Sequence, residues 1–270
     1  MKIITLGRPR FRTLFLGAII LTALFAYQDA ANLHVFTQKL KPIYSVETKQ
    51  KEAALTFDIS WGDDNVAPVL DILKQSGVKA TFFLSGPWAK THSDLVRRIV
   101  SDGHEVGSHG NQHIDLNTLG KQEIKDEIMQ AHKDLKAVTG KDCGLIRTPN
   151  GAYDNKVIQA VSEVGYRAIQ WSTDSLDWKR PGPEAVINNV LNGHRPGQGV
   201  KPGAIILFHA SNSAPDTVKA LPVVLKKLKE QGYTLLPVGE LLARGSGTWP
   251  PESKLEPPAK DTNPPSAPKS

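Results

Sequence analysis

The sequence predicts an α/β fold built on parallel strands, and three observations point to it. Between about residues 50 and 243, short apolar runs alternate with amphipathic helical patterns. Several helical stretches stop at a glycine just before the next apolar run, at Gly77, Gly103, Gly165 and Gly232, which is the usual chemistry of a helix end. Ionisable or aromatic residues also stand at the C-terminal ends of five separate runs, the rim on which parallel-strand barrels build their sites. Alternation over this length implies right-handed crossovers. Seven or so units can close into a barrel or wind an open sheet, and periodicity alone does not decide between the two.

In order, the strand-like runs are 53–58 (AALTFD), 80–84 (ATFFL), 105–108 (EVGS), 144–147, 167–171 (RAIQW), 204–208 (AIILF) and 233–236 (YTLL). Helical patterns fall at 66–76, 91–102, 121–138, 154–164, 183–193 and 215–231. There are no internal repeats. Ahead of this block, a basic arm with Lys2, Arg8, Arg10 and Arg12 precedes an uncharged apolar run at 14–27. That pattern fits a signal-anchor or signal peptide in residues 1–31, with the arginines kept in the cytoplasm and the domain outside. Residues 32–49 read as a linker, 50–243 as the folded domain, and the Pro-rich stretch 244–270 as a disordered tail.

The formal net charge of +6 is diffuse. No dense basic stripe appears, so a nucleic-acid partner is not expected. Anionic wall polymer or lipid headgroups account for the charge equally well. A single cysteine, Cys143, allows neither an internal disulfide nor a thiolate metal cluster, and its turn-like setting suits an inert thiol.

The chemistry gathers at the run ends. Asp58 closes a buried strand, where a carboxylate needs a partner or a task. Arg147, at another run end, could hold it ionised as a general base. His109 and His113 are spaced i, i+4, so on a helical turn both imidazoles would face one metal. His209 ends the apolar run AIILF and reads as a general acid oriented by a carboxylate such as Asp177. The remaining histidines, His92, His104, His132 and His194, have no comparable setting and read as surface or structural.

These sites resemble, in order, the five motifs of the polysaccharide deacetylase family. Thr56-Phe57-Asp58 is similar to the first, and Ser108-His109-x-x-x-His113 to the second. Arg147-Thr148-Pro149-Asn150-Gly151 resembles the third, Asp174-Ser175-Leu176-Asp177-Trp178 the fourth, and Leu207-Phe208-His209 the fifth. The resemblance implies a distorted barrel of about seven β/α units. It also implies metal-dependent removal of N-acetyl groups from a cell-wall-type polysaccharide, with a divalent ion, usually zinc. By position His109 and His113 would bind metal and Asp58 would be the base. Arg147 would orient Asp58, His209 would be the acid and Asp177 its orienter. Trp178 would wall the pocket, and the Asn150 N–H would help hold the oxyanion. One position departs from the pattern. Ile59 stands where the family carries a third metal ligand, an aspartate, and isoleucine has no lone pair to give. Asp58 could ligate as well, Asp63 or Asp64 could loop back to the metal, or the domain could be a catalytically impaired glycan binder. The Phe-Asp-Ile-Ser-Trp-Gly string resembles the sporulation and cell-wall branch of the family. An esterase or a deacylase of another small molecule is a third reading.

Overall fold

Ala53, Leu55, Phe57 and Ile59 alternate with Ala54, Thr56 and Asp58 along β1 (Glu52–Ile59), and the strand is buried on both faces. With side chains on alternate faces, the first set enters the core beneath the helices while the second lines the inside of the sheet. A computed structural model of the chain describes residues 39–245, together with Thr22 and Ala23. The expected arm, anchor and tail lie almost wholly outside the described residues. Among those described, no helix is long and apolar enough to cross a membrane. By its contacts the chain divides into Met1–Leu40 and Lys41–Ser270, and all that follows concerns the second unit.

The pairings among the eight strands of the described residues are all parallel, with one antiparallel bridge from Ser45 to Ala204 beside them. The sheet order is β5 (Arg167–Ala168), β4 (Leu145–Ile146), β3 (Glu105–Ser108), β2 (Thr81–Leu84), β1, β7 (Ala204–His209) and β6 (Thr173–Asp174). β8 (Thr234–Leu236) pairs with the start of β1 at Glu52–Ala54, whereas β2 pairs with its end at Thr56–Ile59. β7 runs beside Ala53–Asp58. The two outer strands of the series, β5 and β6, belong to one short stretch, so the chain itself carries the sheet round from β4 to β7. Of the expected single strand 167–171 only Arg167–Ala168 forms, paired with β4; the strand that pairs with β7, Thr173–Asp174, lies just beyond that run. The result is the expected distorted barrel of parallel strands. Part of the expected linker also joins it: Ile43 N–H donates to Ala168 O at 2.8 Å, and Val46 N–H to Gly203 O at 2.9 Å.

Helices α1 (Val66–Ser76), α2 (Gly86–Thr91), α3 (Ser93–Ser101), α4 (Lys121–Thr139), α5 (Asn155–Glu163), α6 (Pro183–Leu191) and α7 (Thr217–Glu230) cover the outside. Leu70 and Leu73 of α1 and Leu221, Val224, Leu225 and Leu228 of α7 fill the space against β1; truncating one such leucine to alanine costs about 2–5 kcal/mol. The pattern read as a helix over 91–102 is α3, which His92, at φ −116° and ψ 41°, separates from the preceding α2 that the sequence reading did not place. α8 (Val238–Arg244), too short to show a periodic pattern in the sequence, closes the N-terminal end of the barrel. Its Val238 and Leu241 join Ala54, Phe83 and Ile205 in the inner core. Its first N–H groups are taken by Thr81 Oγ1 at 2.8 Å and Glu105 Oε2 at 3.0 Å.

The strand register aligns the opposite end. Asp58 lies opposite His209 across β1 and β7, and Ser108 lies opposite Leu84 on one side and Ile146 on the other. The residues that follow, His109 and Arg147, therefore emerge on the same rim as Asp58 and His209.

Candidate active site

That rim holds a pocket of about 350 Å³ lined by Asp58, His109, His113, Asn150, Trp178 and His209 among others, within the range of small-molecule sites. Arg147 and Asp177 stand behind it, each holding one of these groups.

Arg147 is fully buried. Its Nη1 donates to Asp58 Oδ1 at 2.7 Å and to Thr56 Oγ1 at 2.8 Å, and its Nη2 to Gln170 O at 3.1 Å. The Phe83 ring lies 4.3 Å from the guanidinium carbon. Burial opposes ionisation of Asp58, but the positive charge of Arg147, followed by His109 and His209, outweighs it and holds the carboxyl below its ordinary value. Asp58 is thus an anion at neutral pH.

His109 Nδ1 lies 2.8 Å from the Arg147 carbonyl. A carbonyl only accepts, so Nδ1 carries the proton and Nε2 keeps its lone pair. Burial pushes the imidazole down to about 4, so the ring is neutral. Its Nε2 faces Asp58 Oδ2 at 3.7 Å. The expected helical turn through His109 and His113 is not formed. The segment is a loop with positive φ at Gly110 (76°) and His113 (52°), yet the two rings still meet at 5.0 Å. Glu127 of α4 makes this possible: its Oε1 accepts from Asn111 N–H at 2.9 Å and from Gln112 N–H. Sequence reasoning missed Glu127. Its only signal was a carboxylate at a buried position of an otherwise ordinary amphipathic helix.

His209 Nδ1 lies 2.8 Å from Asp177 Oδ1. Asp177 is fully buried and also accepts from His209 N–H and Trp178 N–H, both at 2.8 Å, and from Thr217 Oγ1 at 2.6 Å. Burial works against the imidazolium, but the bond to Asp177 and its charge prevail, and His209 is raised above its ordinary value. Asn150 sits on the rim at φ 55°, its Nδ2 donating to Asp115 Oδ1 at 2.8 Å. Trp178 is about half exposed. Cys143 is remote from the pocket, and burial pushes its thiol up to about 11, as befits an inert group.

Of the candidates for the third ligand, Asp58 is engaged by Arg147, and the others lie elsewhere. Ile59 is fully buried and its side chain belongs to the core under the helices. Asp64 does not return to the histidines: its Oδ2 accepts from Asn212 Nδ2 at 2.7 Å, while Asp63 lies 3.9 Å from His92. Among the described residues, no group of three or more His, Cys, Asp or Glu side chains is arranged to hold a metal ion. Catalytic divalent sites take three protein ligands and an open position. The donors here fall one short, so the residues present do not fit that metal centre.

A comparison with protein families matches residues 45–169 to polysaccharide deacetylase. The peptidoglycan-N-acetylglucosamine deacetylase of Bacillus cereus is 32% identical over 74% of this chain and 92% of its own. The chain belongs to the polysaccharide deacetylase family. Members of this family are hydrolases and are generally metal-dependent. The peptidoglycan-N-acetylmuramic acid deacetylase PdaA of Bacillus subtilis is 31% identical over 78% of each chain. Among solved structures, a CE4 family pseudoenzyme from Bacillus anthracis superposes with a TM-score of 0.69 at 34% identity, over 75% of this chain and 70% of that one. A mutant of that pseudoenzyme with restored enzymatic activity superposes equally well.

Proposed function

We propose that this deacetylase domain acts on the N-acetyl groups of a cell-wall-type polysaccharide, peptidoglycan or an N-acetylglucosamine polymer. The observation that carries the reading is a pair of oppositely tuned groups facing one pocket, Asp58 held below its ordinary value by Arg147 and His209 raised above its own by Asp177. Asp58 would take the proton of an attacking water. His209, its Nδ1 bound to Asp177, would give the Nε2 proton to the departing sugar nitrogen. Asn150 and Trp178 on the rim would orient the acetamide and the sugar ring. The relatives from Bacillus cereus and Bacillus subtilis, named for action on peptidoglycan sugars, support this substrate class.

A second reading has its own observation. With Ile59 in place of the aspartate, a divalent metal such as zinc would meet His109 and His113 beside an Asp58 already engaged by Arg147. The likeness to a pseudoenzyme supports a domain that binds the glycan and is catalytically impaired. The basic arm and apolar run of the sequence support a further expectation, that the domain is held at the outer face of the membrane or secreted. Protease shaving of intact cells checks it: a chain untouched until lysis would place it inside.

Acetate release from N-acetylglucosamine oligomers and peptidoglycan, with zinc or cobalt added, separates the two catalytic readings. Release abolished by chelator and by His109→Ala establishes the hydrolase. Absence of release from folded protein that still binds the glycan establishes the impaired binder. Ile59→Asp is expected to tighten zinc binding by at least about tenfold, roughly the worth of one added ligand contact. Unchanged affinity would show that another donor already fills the third place.

A further inference from the structure

The loop between β1 and α1 bears a residue to which neither the acid–base pair nor the metal question gives a role. Trp61 is 51% exposed, and it is one of four large apolar residues in the described chain left open to solvent. An exposed indole on a slack loop would fold down onto the surface. This loop is strapped. Asp64 N–H donates to Asn212 Oδ1 at 3.0 Å, and Asn65 Nδ2 donates to Ser211 O at 2.8 Å and Ala214 O at 3.1 Å. Trp88 Nε1 donates to Gly62 O at 2.8 Å. Gly62 takes φ +68°, and a Cβ there would come within 2.3 Å of Asn212, so the tight approach depends on glycine. The strap holds Trp61 up at the pocket mouth, where its ring meets the His113 ring edge-on at 4.9 Å.

Trp178, 48% exposed, lines the same pocket. It follows Asp177 directly, and Asp177 holds His209. One tryptophan therefore packs against His113, and the other follows in the chain the residue that holds His209. A pyranose presents a face of C–H groups with partial positive charge, which the negative face of an indole attracts. Two exposed indoles on one pocket rim offer more stacking surface than a single acetamide-bearing sugar uses, which suits a second ring of a chain.

Building on the glycan reading above, we propose that Trp61 is a sugar-stacking residue: it carries the ring next to the one whose acetamide enters the pocket, so the site selects a chain of N-acetylated pyranoses over the monosaccharide. Calorimetric titration of the full chain with N-acetylglucosamine and with its tetramer tests this, using Trp61→Ala and Trp61→Phe and circular dichroism to confirm folding. The wild type should bind the tetramer far more tightly than the monomer. Trp61→Ala should weaken the tetramer about tenfold, the loss typical of an aromatic anchor, and leave the monomer unchanged. Trp61→Phe should restore most of the difference. Equal tetramer affinity in wild type and Trp61→Ala, or equal loss for monomer and tetramer, overturns the role of Trp61 while the glycan reading stands. A folded wild type that binds neither the tetramer nor peptidoglycan overturns both.

Discussion

At the scale of single residues, the site rests on two buried ion pairs with opposite purposes. Asp58 is anionic because Arg147 is there, and Arg147 is tolerable in the core because Asp58 is there. Asp58→Asn should therefore cost about 3–5 kcal/mol in urea unfolding by leaving a buried guanidinium without its counter-charge. A loss under about 1 kcal/mol would mean that Thr56 and Gln170 already satisfy Arg147. Because the folded value of Asp58 lies below its ordinary 3.8, its contribution is present above that pH and is lost as pH falls through the folded value. His209 has the opposite sign. Its folded value lies above 6.5, so its contribution is full below 6.5 and is lost as pH rises through the folded value. In Asp177→Asn the charge is gone and burial dominates, so an NMR titration should find His209 above 6.5 in the wild type and below it in the variant. A His209 value that does not move would remove Asp177 from its orienting role. Both pairings were legible in the sequence, since Asp58, Arg147, Asp177 and His209 all fall at run ends. Less legible was the fate of Ile59, because whether a neighbouring aspartate replaces it depends on Asn212, some 150 residues away in sequence.

At the scale of elements, the sequence shows its strands better than its loops. The glycine stops and apolar runs place α1, α4 and β7 within a residue or two of where they lie. His109 and His113 have a helical spacing, yet β3 ends in a loop whose shape is imposed from outside by Glu127. Spacing carries no record of such a long-range bond. Glu127→Ala leaves two N–H groups without their acceptor, so unfolding stability should fall by about 2 kcal/mol. The His113 ring resonances should also broaden as the loop loosens. Unchanged stability and sharp resonances would assign the loop shape to Gly110 alone. α8 escaped notice for a related reason: seven residues are too few for a periodic pattern, and its place is set by Thr81 and Glu105 at the starts of β2 and β3.

At the scale of the molecule, β1 is the meeting point. It touches β2 and β8 along one edge and β7 along the other, and the inner core that it shares closes only with α8. A chain ended after Gly232 would lack β8 and α8 and would bare Phe83, Ile205 and half an edge of β1. Such a truncation should lose cooperative unfolding and bind a hydrophobic dye, whereas a sharp, native-like transition would show that the barrel stands without its plug. The same geometry bears on how the protein comes into being. The first strand to emerge during synthesis makes two of its three pairings with strands near the far end, about 150 and 180 residues later. Such distant pairing slows folding and leaves the nascent chain waiting. A chain whose first described strand waits for β7 and β8 stays open until α8 is released, so its acid and base come together only at the very end of folding.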